Sequence, residues 1–111
     1  MVYDIMNQIG GFDNLKKCLD VDKYVLLFFT ASWCGPCKKI YPELEELSKK
    51  LNKDLIEIYK VQIDNDDNEE ICSIFKVESV PSFYLMKNKE CINTLKGADM
   101  NEIKKMLNIK D

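Results

Sequence analysis

The sequence predicts an α/β fold: a central mixed β-sheet flanked by helices on both faces, with elements in the order β-α-β-α-β-α-β-β-α. Three observations carry this. The run "YVLLFFTA" (24–31) is apolar on both alternating faces, the pattern of a central strand covered on both sides. Just beyond two closely spaced cysteines, Ile40, Leu44, Leu47 and Leu51 recur at helical spacing. Near the C-terminus two short apolar runs are separated by a few polar residues, which reads as an antiparallel hairpin and makes the sheet a mixed one.

In chain order, "VYDIMN" (2–7) reads as a short first strand, closed by the Gly10-Gly11 break. Phe12, Leu15 and Leu19 then mark one face of a short helix. The central strand and the long amphipathic helix follow, with Pro42 inside that helix removing a backbone donor and bending it. "LIEIYKVQID" (55–64) is a second long strand, and in "NDDNEEICSIFKV" (65–77) the residues Ile71, Ile74 and Phe75 form the inner side of a short helix. Val80-Pro81 leads into "SFYLM", the loop "KNKE" and "CINTL". With Lys89 where hairpin loops favour glycine, Asn88 is expected to carry the left-handed conformation. Asp99 with Glu102 offers a capping-box-like start to a last helix, whose apolar face is Ile103, Met106 and Leu107, with Met100 and Met106 as packing residues.

The 111 residues support one core, so a single domain spanning 1–111 is expected. The longest unbroken apolar run, Val25 to Phe29, is too short to cross a bilayer, which argues against a membrane protein. The net charge is −3 and every basic residue is lysine, leaving neither a basic stripe nor an arginine fork; nucleic acid is not an expected partner. The first residues have no basic n-region and no long apolar stretch, so no secretory signal is read there. Five cysteines cannot all pair within one chain, which points to a reducing, cytoplasmic compartment. Histidine is absent. That excludes Ser/His/Asp and Cys/His nucleophiles and every imidazole metal site, and leaves the chemistry to thiols, carboxylates, lysines and backbone.

Cys34 and Cys37 lie where the central strand joins the long helix. A thiol there faces free backbone N–H groups and the positive end of the helix dipole, both of which stabilise a thiolate. Gly35 and Pro36 suit the first helical turn, where proline costs no hydrogen bond. A zinc site needs about four ligands, typically two such pairs, and the chain has one pair with its other cysteines scattered. A purely structural disulfide across so short a loop would restrict the unfolded chain little. Thiol–disulfide exchange is the reading that remains strongest.

The stretch "FTASWCGPCKKIYP" resembles the active site of thioredoxins, eukaryotic cytosolic ones in particular, through Trp33, Cys34, Gly35, Pro36, Cys37 and Lys38. The resemblance extends over essentially the whole chain: Pro42 matches their helix-bending proline, Val80-Pro81 their cis-proline loop, Gly97 the glycine after their last strand, and Lys60 a lysine behind their active site. It implies the thioredoxin fold, no cofactor, no metal, and protein dithiol–disulfide exchange by a strongly reducing couple. It also implies Cys34 as the attacking thiolate and Cys37 as the shielded, resolving thiol. Trp33, Val80, Pro81 and Gly97 would form the substrate-docking surface. The implied partners are protein disulfides and thioredoxin reductase, with electrons ultimately from NADPH, for a monomer engaged in electron transport and cell redox homeostasis.

One departure bears on mechanism. Thioredoxins carry a buried aspartate six residues before the first cysteine, and this chain has Phe28 there. Without a carboxylate about 6 Å away, at an effective dielectric near 20, the thiolates escape roughly 2–3 kcal/mol of repulsion. Phe28 also dries the pocket, which raises a thiol pKa and weakens proton removal from Cys37. With Cys34 taken as exposed, the expectation is a gain at Cys34, a lost base at Cys37, and slow resolution of mixed disulfides. Ordinary core packing by Phe28 is the competing reading. Lys60 shares a strand face with Ile56 and Ile58, so its stem should pack on them while its head runs outward. Two functional alternatives stay open: a less reducing, glutathione-linked or isomerase-type activity, and a redox-regulated binding module.

Cys18, Cys72 and Cys91 are expected to be buried or half-buried inert thiols, glutathionylation or a disulfide-linked dimer being the other reading. The acidic run "DNDDNEE" (64–70) lacks the glycine and terminal glutamate of a calcium loop and reads as a solvated turn with helix-capping carboxylates.

Overall fold

A computed structural model describes residues 7–107. The elements are β1 (Asn7–Ile9), α1 (Phe12–Leu19), β2 (Tyr24–Thr30), α2 (Gly35–Lys50), β3 (Ile56–Gln62), a 3-10 turn (Asp66–Asn68), α3 (Glu69–Phe75), β4 (Ser82–Lys87), β5 (Glu90–Lys96) and α4 (Met100–Met106). Their order is the expected one. They build a five-stranded sheet, β1-β3-β2-β4-β5, with β1, β3 and β2 parallel and β4 antiparallel to both β2 and β5.

The core divides across the sheet because β2 is apolar on both faces. Leu26 and Phe28 face one cluster, which takes Ile40, Leu44 and Leu47 from α2, Ile103 from α4, and both Cys34 and Cys37. Val25, Leu27 and Phe29 face the other, with Leu15 of α1, Ile71 of α3, Val61 and Met86. Helices therefore cover both faces. Met100 and Met106 pack against the first cluster as expected.

Four expectations need correction here. The first strand runs past its expected end at residue 7 to Ile9, which is buried and pairs with Val61; residues 2–6 of the expected strand lie outside the described residues. Ile74 is 52% exposed. In a helix of seven residues, Ile71 and Phe75 at i, i+4 point to the sheet, and at 100° per residue Ile74 falls off that stripe. The β4–β5 turn has both Asn88 (φ 53°) and Lys89 (φ 67°) in the left-handed region, because a two-residue hairpin turn that matches the strand twist requires it of both. Cys91 is exposed, since β5 is the edge strand and only Leu95 along it is half-buried.

Candidate active site

The parallel pairing of β2 with β3 continues past the ends of both strands and builds the loop that holds the cysteines. Thr30 is in register with Gln62, and its carbonyl accepts from the Ile63 N–H at 2.8 Å. Next along, the Ser32 N–H and hydroxyl both donate to the Asp64 carboxylate. These bonds hold the Asp64 carboxyl below the usual aspartate range. Asp64 is thus tied to the loop and does not cap a helix; Asn65 does that work, its side chain accepting from the Asp67 N–H.

A turn closed by Cys34 N–H to the Ala31 carbonyl, 3.2 Å, brings the chain round into α2 with Cys34 as its N-cap. Cys34 has extended backbone, and its Sγ accepts from the Cys37 N–H at 3.2 Å. A helix N-terminus has donors to spare, so this sulfur sits where negative charge is stabilised. The Cα atoms of Cys34 and Cys37 are 5.3 Å apart, and their sulfurs form a disulfide. Cys34 is 4% exposed and Cys37 2%, so the expectation of an exposed Cys34 is corrected: the first turn of α2 and the Phe28 cluster enclose both. Trp33 projects, 68% exposed, and Gly35 and Pro36 lie between the two cysteines at the surface.

Of the residues expected to dock a client, Val80, Pro81 and Gly97 lie together. The Val80-Pro81 peptide is cis, and the Gly97 N–H donates to the Pro81 carbonyl at 2.9 Å. Gly97 has φ 102°, a conformation that glycine adopts at no steric cost. Val80 packs on the cluster that contains Cys34 and Cys37.

Behind the disulfide a crevice of about 390 Å³ reaches Cys37 between Lys38, Tyr41, Lys60 and Gln62. Phe28, fully buried, lies behind Tyr41 of the crevice wall: it stacks on Tyr41 at 6.4 Å and on Phe83 at 5.1 Å between centroids. The Lys60 ammonium lies 5.0 Å from the centroid of the Tyr41 ring, and both residues line the crevice. Tyr41 and the Ser32–Asp64 link are the components that sequence reasoning missed. Neither has a local signal: the Ser32–Asp64 link depends on the β2–β3 register, and Tyr41 meets Phe28 and Lys60 only through the seating of α2 on the sheet.

The family model for thioredoxin matches residues 11–109. The chain belongs to the thioredoxin family. Thioredoxin from Malassezia sympodialis is 35% identical over 95 residues, covering 86% of this chain and 89% of the relative. Thioredoxin from Ictalurus punctatus is 37% identical over 87 residues, covering 78% and 79%. The crystal structure of the Malassezia thioredoxin superposes with a TM-score of 0.85 at 32% identity, over 93% of this chain and 88% of that one. As a member of that family the chain is a protein dithiol–disulfide oxidoreductase with the thioredoxin fold, and Cys34 and Cys37 are its redox pair.

Proposed function

We propose that Cys34 attacks and Cys37 resolves. The observation that supports this order is the Cys37 N–H directed at Cys34 Sγ, which favours a thiolate at Cys34 in the reduced protein. In the forward step the Cys34 thiolate attacks one sulfur of a client disulfide. The client S–S bond breaks, its second sulfur leaves as a thiolate that takes a proton from water, and a mixed disulfide remains. Cys37 then loses its proton and attacks Cys34 Sγ. The Cys34–client bond breaks, the second client thiol is released, and two electrons have passed from the dithiol to the client.

The client strand docks on Trp33, Val80, Pro81 and Gly97, where an exposed indole and a small residue leave room for extended backbone. Lys38, exposed beside the pair, stands on the crevice that reaches Cys37. The dithiol is regenerated by thioredoxin reductase with electrons from NADPH, which makes the protein a monomeric electron carrier of cell redox homeostasis in the cytoplasm. Family membership supports the reductase, and the odd cysteine count supports a reducing compartment.

The test is trapping. Cys37→Ser should accumulate a mixed disulfide with a reducible protein such as insulin, whereas Cys34→Ser should form none. Accumulation through Cys37 in the Cys34→Ser protein would reverse the roles. Turnover of insulin with NADPH and thioredoxin reductase tests the electron donor.

A further inference from the structure

The end of the sheet remote from the cysteines carries a second concave surface. A groove of about 550 Å³ runs between α1, the C-terminal end of α3 and the β4–β5 hairpin. Its floor is Leu15 and Met86, both buried, and its walls are the half-buried Phe12, Leu19 and Phe75. Ile74, which lies off the buried stripe of α3, stands 52% exposed on its lip. Met86 pairs with Val25 at the start of β2, whereas Cys34 follows the end of β2, so about 20 Å of strand separates groove from disulfide.

Charge around the groove runs against that of the molecule. Lys16 and Lys17 stand on the α1 wall and Lys89 on the hairpin wall; Asp20 is the single carboxylate among the described lining residues and pairs with Lys89 at 3.4 Å. The local balance is three cations to one anion in a chain of net charge −3. An apolar trough with lysines on two walls is complementary to one kind of segment: an amphipathic helix with a leucine-type stripe and carboxylates along both flanks.

We propose that this groove docks an acidic amphipathic helix of a partner protein and holds it away from the disulfide. The stripe buries against Phe12, Leu19 and Ile74, and the flanking carboxylates reach Lys16, Lys17 and, in competition with Asp20, Lys89. A partner seated at this pole leaves the exposed Trp33 surface beside the disulfide open to a client.

The probe is a fluorescein-labelled helix of about three turns, leucine along one face and glutamate on both flanks, read by polarisation and by amide shifts of the labelled protein. Saturable binding is expected, with shifts in α1, α3 and the hairpin and none around Cys34. Ile74→Asp, at an exposed position, should weaken it about tenfold or more. Lys16→Gln with Lys17→Gln should weaken it and flatten its salt dependence. A helix with lysine in place of glutamate should bind at least about tenfold more weakly. Equal binding of the two helices, an unchanged affinity for Ile74→Asp, or shifts centred on Trp33 would each overturn the proposal. Self-association of the protein alone that Ile74→Asp abolishes would also overturn it, by making a second copy the occupant. Insulin turnover by Ile74→Asp should match the parent protein.

Discussion

Phe28 occupies the space between Phe83 and Tyr41 that a carboxylate could enter only by losing both ring contacts. Phe28→Asp should therefore destabilise the fold by about 3 kcal/mol or more, seen as a lower urea midpoint with an unchanged slope. The same change restores a base beside the redox pair, so the mixed disulfide should decay faster in a stopped-flow single turnover. An unchanged decay would leave Phe28 as core packing alone. At Asp64 the prediction concerns pH. Its folded pKa lies below its unfolded value, so the link to Ser32 is fully present above about pH 4 and weakens as acid carries the carboxyl through its lowered midpoint. Ser32→Ala should raise that midpoint toward the ordinary aspartate value in a carboxyl NMR titration. The cysteine pair was legible from sequence because its chemistry and spacing are local. The enclosure of Cys34 was not, since it depends on how α2 seats against Phe28 and its neighbours.

Between elements, one side chain does much of the joining. Asn68 is fully buried at the junction of the 3-10 turn and α3. Its amide donates to the carbonyls of Ile9 (3.3 Å) and Gln62 (2.9 Å), and its carbonyl accepts from the Gly11 N–H at 2.9 Å. It thereby ties β1, the start of α1 and the end of β3 to one point. Asn68→Ala should cost about 2–3 kcal/mol in urea unfolding, because the partners it abandons stay buried. The β4–β5 turn gives a change of opposite sign. Lys89→Gly should stabilise by about 1 kcal/mol, since glycine takes φ 67° without the steric cost a lysine bears. Element order was readable because strand and helix periods differ sharply along this chain. Asn68 was hidden in an acidic run whose composition reads as solvated turn, and nothing in that run shows that its partners lie near residues 9–11.

At the scale of the whole molecule, two core clusters share one sheet, and the disulfide belongs to one of them. Its equilibrium potential therefore reports on packing as well as on sulfur chemistry. Against a glutathione buffer the Cys34–Cys37 couple should lie near about −270 mV, the reference figure for thioredoxins generally. A value tens of millivolts higher would mean that Phe28 and its stack have shifted the balance toward the dithiol. The exposed edge strand has a separate consequence for anyone following thiols in this protein. Both redox sulfurs are enclosed, whereas Cys91 is open to solvent and Cys18 and Cys72 are only half-covered. Desolvation pushes all three free thiols up, so at neutral pH each is overwhelmingly protonated. A slow alkylating reagent applied to the oxidised, folded protein should mark Cys91 first, with a rate rising about tenfold per pH unit below its midpoint. A covalent dimer on a non-reducing gel would then record storage in air, and Cys91→Ser should remove the band without touching turnover.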